Sequence, residues 1–467
     1  MIELLIICQA KIVKMSEINT SATQRQPRHS WGEAFSVYLK PRVLAMFFLG
    51  FSAGLPFLLV FSTLTAWLDD EGVSKSMIGF FAWVGLTYSI KFFWAPVLDR
   101  VNLPVLGSLL GHRRSWMLLA MISIASGLFF LSTLSPRESL SLVALTAVWI
   151  AFSSATQDIV IDAYRIEAMT IEYQAAMAGA YQAGWRIGAA LVGSAAALYL
   201  AELYSWHIAY MAMGCFVIVG VVTVLLIEEP DRSLTQQTIE NEQRVIDYLN
   251  NHHKPNKYMA WIIGAIVCPF ADFFQRNGKF AIGILLFIGL YRISDITLAI
   301  MANPFYLDMG FSKIEIANVT KIYGLFMTLA GAIIGGVIVV RYNVLRPMLA
   351  GAIMVAVANL LYVIMVSKGH DLIWFTVIVS ADNFSGGFAA STFIAYLSGL
   401  TNTAYTATQY ALFSSIMTLP AKIISGFSGI VVDSAGYTYF FTYTACLGIP
   451  AILMVLWLIY RTEKDLK

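Results

Sequence analysis

The sequence predicts an all-α membrane fold: twelve transmembrane helices in two pseudo-symmetric six-helix bundles. Composition, the length of the apolar runs and their six-and-six division predict it. Of 467 residues, 58% are apolar and only 12% charged, against about a quarter charged in soluble domains, and mean hydropathy is +0.72. A soluble chain this poor in charge would not stay dispersed. The 30 basic and 28 acidic residues nearly cancel, which leaves no electrostatic footprint for nucleic acid. Cys8, Cys215, Cys268 and Cys446 are far apart, with neither a disulfide framework nor zinc-site spacing.

A helix needs about 20 mostly apolar residues to cross the hydrocarbon core. Such runs occur at 43–68, 77–98, 116–133, 141–166, 174–200 and 208–227 (spans 1 to 6), then at 280–306, 315–340, 347–366, 372–397, 406–431 and 437–460 (spans 7 to 12). They are too long for barrel strands and do not alternate with period two. Before them, residues 1–42 form an N-terminal segment whose start, MIELLIICQAKIVKM, is a poor signal peptide. Its apolar stretch is short, no basic region precedes it and no small-residue cleavage site follows. Translation from Met15 is an open alternative, and the polar stretch after it reads as disordered.

Lys and Arg counts set the orientation. With the N-terminus inside, 21 of the 30 fall in inner segments, four in outer ones (Lys75, Arg137, Lys313 and Lys368), and five within spans. The positive-inside rule then places both termini, including the tail 461–467, in the cytoplasm. The longest connection, 228–279, separates a bundle at 43–227 from one at 280–460. It begins polar and continues as YMAWIIGAIVCPFADFF, too short to span and interrupted by Pro269, which reads as an interfacial helix.

The halves echo each other. Span 2 ends in a turn with Asp99 and Arg100, then Arg113 and Arg114, and span 8 ends with Arg341 and Arg346 in the equivalent turn. Such internal similarity marks a duplicated bundle. The Asp-Arg…Arg-Arg turn resembles the signature between helices 2 and 3 of the major facilitator superfamily. A carboxylate at a helix C-terminus needs nearby cations, and the resemblance implies that this cluster latches the two bundles on the cytoplasmic side.

Ionisable groups inside a span cost several kcal/mol, roughly 2.5–3.5 on insertion scales, so they are expected to face a cavity or a partner. Span 4 holds Asp158, Asp162 and Arg165 on one helical face, with Arg165 read as an interfacial anchor. Span 5 holds Arg186 among glycines, and a buried permanent cation needs Asp158, Asp162 or an anionic substrate. Lys91 lies in span 2. Span 7 holds Arg292 and Asp295, with Pro304 expected to break its outer end. Lys321 lies in span 8, Asp382 and Asn383 in span 10, and Lys422 in span 11, where Asp382 is a candidate partner. The Arg292–Asp295 and Asp158/Asp162–Arg186 groups are the candidates for proton coupling.

Residues Gly50 to Gly54 match the GxSxG nucleophile elbow, but that motif requires a strand-to-helix turn, whereas here it lies inside span 1. Helix packing through the two glycines explains it better. With no GxxxxGK[ST], HExxH or His/Cys cluster, no enzyme, cofactor or metal is expected.

Several segments together resemble the AmpG-type muropeptide permeases of the major facilitator superfamily. They include LGFSAGLPFLL in span 1, KFFWAPVLDR in span 2, SATQDIVIDAYR in span 4, RISD…NPFYLDMGFSKIEIANVTKIYG across spans 7 and 8, and DNFSGGFAASTFIAYLSGLTN…YTATQYALFSS across spans 10 and 11. The resemblance implies the major facilitator fold in a bacterial inner membrane. It also implies proton-driven import of anhydro-muropeptides, GlcNAc–anhydroMurNAc carrying a short peptide, for peptidoglycan recycling. Peptide carboxylates would meet Arg186, Arg292, Lys91 or Lys321. Sugars would meet Trp83, Tyr88, Tyr181, Trp185, Tyr291, Tyr323 or Asn383. Protons, the muropeptide and membrane lipid are the expected partners of a monomeric transporter. Two alternatives stand beside this: a carrier of another anion such as acetyl-CoA or a peptide, and a non-transporting membrane sensor.

Overall fold

Ten helices are long and apolar enough to cross a membrane among the residues that the computed structural model describes: 31–73, 77, 81–230, 268–425 and 427–465. Every secondary-structure element among them is helical. The ten correspond to ten of the expected spans, and the other two are irregular for local reasons. Span 2 is built of short pieces, a 3-10 turn Phe81–Gly85, then Leu86–Ser89, Lys91–Phe93 and Ala95–Arg100. Its aromatic residues favour a continuous helix little. Span 11 is the helix Thr406–Ser425, interrupted by Pro420 and rich in hydroxyls. After it the chain runs helically from Ser428 and breaks at Gly436, whose φ of 78° divides spans 11 and 12, a conformation open to glycine without steric cost.

Span 1 consists of Pro41–Leu59 and Ser62–Asp70, which meet at a break around Phe61. Span 7 breaks at Arg292, between Ala281–Tyr291 and Ile293–Asp308. Pro304, expected to end span 7, instead lies inside the second helix, as membrane helices tolerate when neighbours satisfy the freed backbone groups. The reading of residues 16–30 as disordered, the start at Met15, and the first part of the interfacial helix all lie outside the described residues. From Cys268 the chain is helical to Asn277 and enters span 7 through the turn Gly278–Phe280.

Glycine seams bring the helices together. Gly50 and Gly54 of span 1 lie against the Tyr181 and Trp185 carbonyls of span 5, and Gly184 and Gly188 lie against the Phe47 and Phe51 carbonyls. The two backbones touch, so the GxSxG match is a packing feature. Its Ser52 is 1% exposed and accepts a hydrogen bond from Gln157. Spans 8 and 10 repeat the device with Gly331 against Phe384 and Gly387 against Thr328. A Gly54→Val variant is expected to lose stability at the upper end of the ~1–3 kcal/mol typical of overpacking. The readout is the thermal midpoint and the yield of monodisperse protein. Gly283→Val, at a glycine with open space around it, is the control, and equal losses in both would count against the seam.

Contacts between the two halves gather at one end, the end rich in Lys and Arg. There span 5 packs on spans 8 and 10, and spans 2 and 4 pack on span 11. Gly179 and Gly336 let spans 5 and 8 approach closely, and the Tyr38 hydroxyl donates to the Ile333 carbonyl at 2.9 Å. Towards the opposite end, the hydrogen bond that links the halves among the described residues is Lys422 Nζ to Ser89 Oγ at 3.4 Å.

Candidate functional site

The seal at the basic end is built on a helix terminus. Span 11 begins at Thr406, so the amides of Ala407 and Thr408 have no carbonyl partner within their own helix. Asp99, at the end of span 2, supplies the acceptors from the other half. Oδ1 accepts from the Ala407 amide at 3.1 Å, and Oδ2 accepts from the Thr408 amide at 2.8 Å and the Thr408 hydroxyl at 2.7 Å. A carboxylate at the positive end of a helix dipole is favourably placed. Arg113 aims it, with Nη2 donating to Asp99 at 2.8 Å and to Glu167 at 2.7 Å, and Nη1 to the Leu98 carbonyl at 3.0 Å. Asp99 and Arg113 are 3% and 0% exposed.

The other two residues of the expected latch are placed differently. Arg114 donates to the Val224 and Leu225 carbonyls at the end of span 6, inside its own half. Arg100 sits partly buried beside Asp99. Hydropathy does not single out Glu167, one residue past the expected end of span 4, nor Glu229, two residues past that of span 6. The Glu229 carboxylate accepts from the Arg113 and Arg114 amides at 2.6 and 3.0 Å and so caps the start of span 3, where Gly111 at φ 91° leaves it room. Burial raises the Glu229 carboxyl above its ordinary range, against the lowering pull of those two amides.

A second clasp lies on span 4. Arg165, read as an anchor, is 1% exposed. Its Nη1 donates to Ser398 of span 10 at 2.8 Å and to Gln174 at 3.1 Å, its Nη2 to Asp162 at 3.3 Å, and its guanidinium lies 5.0 Å from the Tyr410 ring centroid. Span 5 begins at Ile171 and span 11 at Thr406, and the fourth residue of each helix is a buried glutamine. Gln174 binds carbonyls at the end of span 4, and Gln409 binds the Pro269 carbonyl and Asp272. This echo between the halves is invisible in hydropathy.

Deeper in the spans the charged residues divide into paired and unpaired groups. Asp158 accepts from the Tyr181 hydroxyl at 3.1 Å, with Lys91 as the nearby cation. Asp162 is taken by Arg165, so neither carboxylate pairs with Arg186. Arg292 and Asp295 form a tight pair, Nη2 to Oδ2 at 2.5 Å. Asp382 accepts from the Tyr362 hydroxyl at 3.1 Å, itself bonded to Tyr306 at 2.7 Å, and the pairing of Asp382 with Lys422 is not formed. Asn383 is tied into packing by Thr328 and the Val379 carbonyl. Lys321 lies on the π-helical turn Ala317–Tyr323, and its side chain is outside the described residues, as is that of Trp83.

Arg186 stands apart. It is partly buried near the middle of span 5, has no hydrogen bond or ion pair to a described residue, and feels Arg292 of the other half as its charged neighbour. Two guanidiniums from opposite halves that repel each other can both be satisfied by one anion placed between them.

A model of the Major Facilitator Superfamily matches residues 90–299 and again 284–467. The anhydromuropeptide permease of Escherichia coli K12 is 31% identical over 90% of this chain and 80% of its own length. A Rickettsia conorii protein provisionally named transporter AmpG 4 is 30% identical over 89% and 96%. Among solved structures, the proton:xylose symporter XylE bound to 6-bromo-6-deoxy-D-glucose superposes with a TM-score of 0.60 at 13% identity, over 91% of this chain and 95% of that one. That likeness shows the twelve-helix fold. The chain is a multi-pass membrane transporter that belongs to the major facilitator superfamily and, within it, to the AmpG-type permeases.

Proposed function

We propose that this transporter imports anhydro-muropeptides across a bacterial inner membrane into the cytoplasm by proton symport, for reuse of cell-wall material. The observation that carries the reading is Arg186, a mid-membrane cation with no hydrogen bond or ion pair to a described residue and with the charge of Arg292 in the other half near enough to act on it. Keeping such a charge in a low-dielectric interior is costly unless an anion visits it, and a peptide carboxylate is such an anion. The similarity to the E. coli permease supports the choice of cargo.

In this reading the bundles 43–227 and 280–460 rock about the midplane. The conformation described here is sealed at the cytoplasmic end by Asp99–Arg113 and Arg165, with the basic residues marking that end and both termini lying in the cytoplasm. Cargo enters from the other side and its carboxylate draws Arg186 and Arg292 together. A proton is carried by one of the interior carboxylates, Asp158, Asp162, Asp295 or Asp382.

The test is uptake of labelled disaccharide-peptide into vesicles holding the purified protein. An imposed proton gradient, acidic outside, is expected to raise the initial rate, and a protonophore to remove the rise. Uptake indifferent to the gradient would refute the coupling. No uptake, with unlabelled acetyl-CoA or a free peptide carried instead, would refute the cargo.

A further inference from the structure

We propose that the sugar rings of the cargo are held by an aromatic basket in the first half of the chain, made of Phe57, Phe61, Tyr88 and Trp185. This rests on the muropeptide reading above and assigns the two ends of that cargo to different walls of the site.

The basket follows from the seam between spans 1 and 5. Gly54 lets the Trp185 backbone press against span 1, and one turn further on Phe57 meets the Trp185 ring at 5.3 Å between centroids. Phe57 is the hub, with Phe61 at 4.9 Å and Tyr88 at 5.4 Å, and Phe61 lies 6.1 Å from Tyr88. The break in span 1 falls at Phe61, and its ring lies against Gly85, where a side chain would crowd it. The four rings are tilted against one another by 43° to 70°, so they meet edge to face and do not stack flat on each other. Counted from the helix starts at Pro41 and Ile171, Phe57 and Trp185 lie roughly 21–24 Å from the basic end, near the depth of Arg186.

Packing alone does not account for them. Phe305, Tyr362, Phe375 and Phe393 of the second half are closed at 0% exposure, whereas all four basket rings are partly open. The basket also lies beside a contact with the other half. Ser89, next to Tyr88, meets Lys422 of span 11, and Arg186 follows Trp185 in the chain. Open aromatic faces beside a few polar groups are the make-up of a ligand site. A pyranose presents a face of C–H bonds with slight positive charge, which suits the negative face of an aromatic ring, and its hydroxyl edges suit the polar rim. The sugars therefore lie against spans 1, 2 and 5. The peptide end extends towards Arg186 and Arg292.

Binding to the purified full chain by titration calorimetry tests this with two probes: the whole disaccharide-peptide, and the neutral disaccharide of two N-acetylglucosamines, which has rings and no carboxylate. Trp185→Ala and Phe57→Ala are expected to weaken the neutral disaccharide about tenfold, and Trp185→Phe less than threefold, because a ring is kept. Arg186→Ala is expected to weaken the whole cargo and not the neutral disaccharide. Wild-type affinity for the disaccharide in both alanine variants would overturn the basket. So would a wild-type protein that binds the whole cargo and ignores the disaccharide, and in that case the muropeptide reading survives. Aromatic-dependent binding of the disaccharide without binding of the whole cargo would uphold the basket and overturn the muropeptide reading. Binding of neither would overturn both.

Discussion

Arg186→Ala is expected to lower uptake at limiting cargo about 30-fold or more, the effect of losing a charge-assisted contact worth ~2 kcal/mol or above. The protein should remain folded, because Arg186 has no hydrogen bond or ion pair to a described residue that the substitution would strand. Arg292 is the less clean target. Its removal leaves Asp295 without the cation that holds it at 2.5 Å, so a loss of uptake there would mix cargo binding with destabilisation. Initial rates in vesicles, normalised to reconstituted protein, are the measurement, with Arg186→Lys alongside. Lysine keeps the charge but not the two-pronged donor geometry, and an intermediate rate is expected from it. Wild-type uptake in the alanine variant would remove Arg186 from the site.

Arg113→Ala should have the largest effect on the fold. Arg113 is fully buried between Asp99 and Glu167, whose side chains are 2% and 1% exposed. Two carboxylates share one guanidinium, and the excess negative charge is answered by the amides at the start of span 11. Without the guanidinium, the buried Glu167 would lose its cation and Asp99 would keep only the helix terminus, and stranding buried charges of this kind costs about 3–5 kcal/mol. The thermal midpoint in detergent is expected to fall sharply. Reagents that label a cysteine placed at Thr406 should also react faster, as span 11 comes free of Asp99. An unchanged midpoint together with unchanged labelling would show that the cluster does not hold the halves together.

The spans were legible because a bilayer sets one length and one polarity for every helix that crosses it. The interior charges were legible for a related reason: an ion in a long apolar run is conspicuous. Their partners were not. Asp162 and Arg165 stand three residues apart on one helical face, and their pairing takes Asp162 away from Arg186. Lys422 meets a serine and Asp382 a tyrosine, although opposite charge suggested that they would meet each other. Glu167 and Glu229 escaped notice because a glutamate just beyond an apolar run looks like any solvated loop residue. The break in span 7 fell at Arg292, not at Pro304, since a proline inside a membrane helix is tolerated where neighbouring groups take up the freed carbonyl.

Glu229 makes the first residues of the central connection a fixed post instead of a loose end. Its carboxylate is bolted to the start of span 3, one peptide bond from the side chain that aims Asp99. Anyone cutting this gene into two co-expressed pieces, or grafting a reporter between the lobes, should therefore work downstream of Pro230. A junction placed only two residues earlier would pull the bolt and slacken the very clamp whose opening the experiment sets out to watch.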